Sequence, residues 1–381
     1  MTKPLHIGIV ANTAFNIYNF RLNLILALKQ AGHHVYAIAP NDSYVALLQQ
    51  QNIECVEIKN LARKGTNPVN DLRLMLELKN IYKKLQLDVV LQYTIKPNIY
   101  GTLAAKTLGI KSVCTVTGLG YTFLNDSFAS KVAHRLYKIA FTYANKVLFQ
   151  NQDDIEIFIQ QKLVDAKKVQ IVPGSGIDTD KFHPNYCIGK EQQHLINQDE
   201  NRTQFLMIGR LLKDKGVYEY IEAAKQILQQ HTNVAFHLLG DIDKDNPTAI
   251  AASELEKWIQ DKTITYHGYA KDTRPYICLA DCVVLPSYRE GMPRVILESM
   301  AMAKTCITTK APGCKDAVID GESGLLCEVA NAESLRTKME EFILHKNDYK
   351  KTIGINARVR AENIFSQKMV NECYLKILEI L

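Results

Sequence analysis

Short apolar runs rich in β-branched residues alternate along the chain with longer amphipathic segments. HIGIVAN (6–12), HVYAIAP (34–40), IECVEI (53–58), VVLQY (89–93), SVCTVTG (112–118), KVLFQN (146–151) and KVQIVPG (168–174) have the length and residue types of strands. Between them lie helical patterns such as FRLNLILALKQAG, with Gly32 as a C-terminal stop, and NDLRLMLELKNIYKKL. This βαβα order predicts a parallel sheet covered by helices on both faces.

The pattern then restarts. FLMIG (205–209), VAFHLLGD (234–241), TITYHG (263–268), CVVLPS (282–287), KTCITT (304–309) and GLLCEV (324–329) form a second set of predicted strands. The stretch between the sets, PGSGIDTDKFHPNYCIGKEQQHLINQDENRTQ, is rich in Gly, Pro, Asn, Asp and Gln and reads as a linker with a surface segment. After residue 330 only helical patterns follow. The α/β class expected is therefore two doubly wound, Rossmann-like domains, residues 1–175 and 176–360, followed by a last segment, 361–381. Two such domains facing across a cleft would bring the carboxyl ends of both sheets to one ligand site.

Composition narrows the class. The 381 residues are 47% apolar and 23% charged, and no uninterrupted apolar stretch reaches the roughly 20 residues of a membrane span. The nearest, Val132 to Phe149, is broken by His134, Arg135, Lys138 and Lys146. With no signal-peptide pattern at the start and nine scattered cysteines in mostly apolar contexts, a cytoplasmic protein with reduced core thiols is expected. The net charge of +6 is uneven: residues 1–170 hold 20 Lys+Arg against 11 Asp+Glu, the remainder 26 against 29. Basic residues there are not interleaved with aromatic stacking pairs, so nucleic acid is not an expected partner.

Two motifs carry chemistry. Pro286-Ser287-Tyr288-Arg289-Glu290-Gly291-Met292-Pro293 begins where a strand ends and enters a helix that runs on past Glu298. Gly291 permits close backbone approach, and a helix start favours an anion above it. Glu290 at the mouth and Glu298 one to two turns along could each accept two hydrogen bonds from a sugar diol. The plainer alternative is a pair of solvated glutamates. The second motif, Gly209-Arg210-Leu211-Leu212-Lys213-Asp214-Lys215-Gly216, follows the first strand of the second set. The planar fork of Arg210 and the point charge of Lys215 suit a diphosphate leaving group, whose growing charge they would stabilise. Asp241-Ile242-Asp243 superficially resembles a metal motif and reads as a loop. No metal and no cofactor are expected.

The pairing of GRL-x-x-x-KG with E-x7-E, in that order in a second Rossmann-like domain, resembles the family 4 glycosyltransferases of the GT-B fold. The likeness spans essentially the full chain, including PGSGIDTDKFHP as a hinge. It implies a retaining transferase with Arg210 and Lys215 on the donor diphosphate, Glu290 on the donor sugar and Glu298 on the ribose. Gly209 and the backbone of Gly291, Met292 and Pro293 would meet sugar or phosphates, and His267 and Gly268 would cradle the base. It also implies that the last helix returns to the first domain.

One position departs from the family. Tyr93 of Tyr93-Thr94-Ile95-Lys96-Pro97 stands where many members have a histidine, leaving Tyr93, Thr94 or Lys96 as acceptor-side candidates; pairing of Lys96 with a nearby carboxylate is the alternative. Asn12 and Asn16, after the first strand, contact a substrate or form a turn. Gly118-Leu119-Gly120 lacks a third glycine for a dinucleotide fingerprint and reads as an acceptor-side loop. The YTIKPN form resembles enzymes of bacterial surface polysaccharides that extend polyprenyl-diphosphate-linked sugars. The implied partners are a nucleotide sugar, more often UDP-linked, a lipid-linked acceptor and an anionic membrane surface under the basic half. A nucleotide-sugar epimerase or a non-catalytic sugar-nucleotide-binding subunit are the alternatives of the same fold.

Overall fold

The computed structural model describes residues 3–61, 67–119, 128–188 and 202–381. The chain divides into two compact units, one of Met1–Gly176 with Gln367–Leu381, the other Ile177–Ser366.

In the first unit, strands β1 (His6–Val10), β2 (His34–Ala39), β3 (Glu54–Glu57), β4 (Val89–Tyr93), β5 (Lys111–Val116), β6 (Lys146–Phe149) and β7 (Val169–Ile171) form one sheet in the order β3-β2-β1-β4-β5-β6-β7. Every pairing is parallel. Successive residues of a strand point to opposite faces, and both faces are buried here. Ile7, Ile9, Leu91 and Tyr93 pack into one core, while Val10 and Val90 pack into another on the reverse side. That double burial explains why these strands read as continuous apolar runs instead of alternating ones.

The second unit repeats the plan. Strands β8 (Thr203–Ile208), β9 (Val234–Leu239), β10 (Thr265–Tyr266), β11 (Cys282–Leu285), β12 (Thr305–Thr309) and β13 (Leu325–Cys327) lie in the order β10-β9-β8-β11-β12-β13, all parallel. Phe205, Met207, Phe236 and Leu238 face one core, and Leu206, Ile208, Leu239 and Val283 face the other.

The return to the first unit starts at Gln367, six residues later than position 361. Residues 361–366 are held in the second unit because Ile177 donates its N–H to Phe365 O at 2.8 Å and bridges Ser366. The helix Gln367–Glu379 then buries Val370, Tyr374 and Ile377 in the core beside β1 and β4.

Candidate active site

In open α/β sheets ligands bind beyond the carboxyl ends of the strands where the strand order reverses, because loops leaving to opposite sides open a crevice there. In the second unit that reversal lies between β8 and β11. The loops leaving these strands are residues 209–216 and 286–293, the two motifs singled out by their chemistry.

They fold as one piece. The Tyr288 N–H and Ser287 Oγ both donate to Asp214 O, at 2.9 and 3.2 Å. Gly216 sits at φ +76°, and a Cβ there would lie 2.1 Å from Pro286 O, so the last glycine of one motif is required by the other. The Glu290 N–H donates to Pro312 O at 3.0 Å. Gly313, at φ +79°, would bring a Cβ within 2.3 Å of Glu290 O. Lys215 Nζ donates to Glu290 Oε1, with both side chains largely buried. Removing either partner of such a pair strands a charge away from water. Arg210 lies farther out, paired with Asp243 Oδ2 at 2.8 Å and more than half exposed.

Glu298 belongs to the helix Arg294–Ala301, which Pro293 caps. Its Oε1 accepts from Arg294 Nε at 2.8 Å and its Oε2 from Thr273 Oγ1 at 3.2 Å, so the carboxylate is aimed before any ligand arrives. Met292 packs onto the core below and Gly291 is buried.

Three adjacent strands end in glycine: β8 at Gly209, β9 at Gly240 and β10, two residues on, at Gly268. The Gly209 N–H donates to Leu239 O at 3.0 Å and the Gly240 N–H to Gly268 O at 2.8 Å. A Cβ on Gly240 would sit 1.8 Å from Gly209 O, whereas a Cβ on Gly209 or Gly268 would meet nothing within 4 Å. The result is a bare backbone shelf. His267 stands beside it, its ring 5.2 Å from that of Tyr276 and hydrogen-bonded to His237 at 3.0 Å. Burial lowers the pKa of both histidines, that of His237 to about 4, with His267 adding to the effect.

The first unit reverses between β1 and β4. Asn12 and Asn16 flank Thr13, whose Oγ1 caps the helix Ala14–Gln30 by accepting from the Asn16 N–H at 3.0 Å. Asn16 Oδ1 is buried without a hydrogen-bond partner. Thr94 adopts φ +71°, a region costly for a β-branched residue, and its buried Oγ1 also lacks a partner. Lys96 pairs with Asp71 at 2.9 Å, and Asp71 also accepts from Tyr100 at 2.8 Å, so the plain alternative holds for this lysine. Tyr93 lies in the core, and its buried Oη, like Asn16 Oδ1 and Thr94 Oγ1, has no hydrogen-bond partner. Its ring is fully buried under the Arg21 guanidinium, 3.9 Å from the ring centroid. Gly118 takes φ +114°, and Gly120 lies outside the described residues.

Three features were not anticipated. Gly313 and Gly240 are required only by backbones distant in sequence. Asp243, read as plain loop, is the carboxylate beside Arg210. The expectation of reduced cysteines throughout is corrected: Cys187 and Cys278, separated by 91 positions, form a disulfide once the 184–188 turn packs against the helix Arg274–Leu279. Among the described residues no cluster suited to a metal ion occurs, and no helix is long and apolar enough to cross a membrane.

Comparison with known proteins decides the family. Residues 6–151 match the family model of 4-like glycosyl transferases and residues 190–360 that of glycosyl transferases group 1. The chain is 30% identical, over 98% of both chains, to the N,N'-diacetylbacillosaminyl-diphospho-undecaprenol alpha-1,3-N-acetylgalactosaminyltransferase of Campylobacter jejuni. The chain is a family 4 glycosyltransferase. It is also 27% identical to the UDP-Gal:alpha-D-GlcNAc-diphosphoundecaprenol alpha-1,3-galactosyltransferase of Escherichia coli, over 70% of this transferase and 69% of that one. Among solved structures, a glycosyltransferase from Rickettsia africae superposes with a TM-score of 0.83 at 22% identity, covering 99% of this chain and 98% of that one. HepE of Anabaena, solved with UDP, superposes at 0.82 and 20% identity over the whole of both chains. These likenesses show the fold, GT-B. The epimerase and binding-subunit alternatives give way to the transferase.

Proposed function

We propose that this enzyme moves a hexose or N-acetylhexosamine from a UDP-linked donor, with retention of the anomeric configuration, onto a polyprenyl-diphosphate-linked saccharide. The observation that carries the reading is the joined pair of loops at the β8/β11 reversal, with Lys215 held on Glu290 between them. Donor diphosphate oxygens enter over the loop 209–216, where Lys215 and the exposed Arg210 take up the charge that grows as the bond to the sugar breaks. Arg210 exchanges Asp243 for phosphate, an exchange its exposure makes cheap. Glu290 contacts the sugar, and the pre-aimed Glu298 receives the ribose hydroxyls. The base lies on the glycine shelf beside His267. With two cations on the diphosphate, no divalent ion is required.

In this reading the acceptor approaches the β1/β4 reversal of the first unit, where Asn16 and Thr94 hold unpartnered polar atoms. The activities named for the Campylobacter and Escherichia relatives support a lipid-linked acceptor. Lys131, Arg135 and Lys138 on the exposed side of the helix Phe128–Tyr143, together with Ile139, support peripheral contact with an anionic membrane on the cytoplasmic side. Nucleic acid is not a partner in this reading.

The test is nucleoside diphosphate release from UDP- and GDP-sugars, with and without polyprenyl-diphosphate-linked saccharides, in EDTA. Release from one UDP-sugar that depends on acceptor is the expected result. Release that needs a divalent ion, or that occurs only with GDP-sugars, would contradict the donor assignment.

A further inference from the structure

Three buried or half-buried polar side chains climb one face of the second sheet, a face otherwise lined by Leu206, Ile208 and Leu239. Gln204 lies on β8 opposite Ala235, and His237 is two residues further along β9. His237 lies opposite Thr265, and His267 is two residues beyond that, just past β10. Each step crosses one strand and advances two residues toward the carboxyl edge, so the row ends at the glycine shelf. Gln204 and His237 are both buried. An apolar pair would cost less to bury, so the row calls for a reason.

The hydrogen bonds supply one. Gln204 Oε1 lies 2.7 Å from His237 Nε2, and an amide oxygen can only accept. His237 must therefore carry its proton on Nε2, which leaves Nδ1 bare. His237 Nδ1 is 3.0 Å from His267 Nε2, so that nitrogen must donate, and His267 Nδ1 is left as an acceptor. Among the described residues nothing in the protein donates to His267 Nδ1. Gly268, the next residue in the chain, leaves open space, as does Gly209 at the end of β8. Tyr276, from the helix Arg274–Leu279, packs against the ring, with centroids 5.2 Å apart.

We infer that Gln204 and His237 act as a tautomer lock, holding His267 Nδ1 as a hydrogen-bond acceptor for the ring N–H of the donor's nucleobase. The inference rests on the reading that UDP is the donor nucleotide and that its base lies on the shelf. Uracil presents one such N–H, at N3, between two carbonyls. The lock makes His267 a selective contact, because an unlocked imidazole offers either a donor or an acceptor. Gln204 and His237 touch no substrate; they are positioning residues.

The test is calorimetric binding of UDP and of N3-methyl-UDP at pH 7.5 to wild type and to the variants His267→Ala, His237→Phe and Gln204→Leu. His237→Phe keeps an aromatic ring in the core, and Gln204→Leu reaches the lock from the far end if that variant fails to fold. The expected result is UDP bound about tenfold more weakly by each variant. Wild type is expected to bind N3-methyl-UDP about as weakly, with the variants losing nothing further on that analogue. A loss on both nucleotides alike in His237→Phe and Gln204→Leu would make the row structural packing and overturn the lock. If His267→Ala binds UDP normally, the base does not lie at His267, and the site reading fails before the lock is reached.

Discussion

The two strand-order reversals of this molecule are built to opposite standards. At β8/β11 the binding groups are already committed: Lys215 to Glu290, Arg210 to Asp243, and Glu298 to Arg294 and Thr273. Gly216 and Gly313 let the backbones behind them interlock. At β1/β4, Asn16 Oδ1 and Thr94 Oγ1 are buried without partners and Thr94 is held at positive φ. Preorganised charge lowers a barrier only if it is in place before reaction. A strained, unsatisfied edge is stabilised when a ligand satisfies it. In the proposed function, the β8/β11 edge that takes the donor is thus finished by the chain, and the β1/β4 edge is left for the acceptor to finish.

The largest expected effect breaks the finished edge. Glu290→Gln keeps the shape and loses the charge, and should lower turnover by about 100-fold or more while UDP still binds. Steady-state assay with calorimetry checks both halves, and wild-type turnover would remove Glu290 from the chemistry. Gly313→Ala tests the interlock. A Cβ against Glu290 O at a left-handed φ should destabilise the protein by about 3 kcal/mol in urea unfolding and depress turnover with it.

The pH response bears on the histidine row beside the glycine shelf. His237 has its pKa lowered in the fold, to about 4, by burial first and by His267 second. Between that value and the ordinary histidine range near 6.5, the unfolded chain takes up a proton that the native state refuses. Stability should therefore fall as pH drops from about 6.5 to about 4, by about 3 kcal/mol, with no contribution from this group above 6.5. His237→Phe should remove that component, as thermal unfolding across the range would report.

On the acceptor side, Thr94→Gly should relieve about 1 kcal/mol of strain, leaving Tm unchanged or raised, yet raise KM for the acceptor. A fall in Tm with unchanged KM would make the strained threonine merely structural. The smallest effect is expected from Asp243→Asn, which frees Arg210 at an exposed site. UDP should bind a few-fold more tightly.

What the sequence made legible follows its period and its local chemistry. Strands buried on both faces declare themselves as apolar runs: among the described residues every strand overlaps an expected segment, and only β5 and β8 begin outside theirs, at Lys111 and Thr203. GRL-x-x-x-KG and E-x7-E are local in sequence, so their residue types pointed to a phosphate and a sugar before any geometry. The remainder depended on distances along the chain. Gly313 matters because of Glu290, and Gly240 because of Gly209. Cys187 meets Cys278 across 91 positions. Tyr93 stood out in the sequence only by its position in a motif, and its burial was not visible there. Its burial comes from the C-terminal helix and Arg21, which no spacing rule reveals.

In the proposed function the β8/β11 reversal of the second unit is a ready-made site for a nucleoside diphosphate that needs no metal. Calorimetric titration of UDP in EDTA, without acceptor, tests it most directly when wild type is compared with Arg210→Ala/Lys215→Ala. Wild type should bind UDP, and the double variant should lose at least about 100-fold in affinity while still unfolding in one cooperative transition, at a lower temperature because Glu290 loses its partner. UDP binding that requires a divalent ion, or that survives loss of both cations, would contradict it.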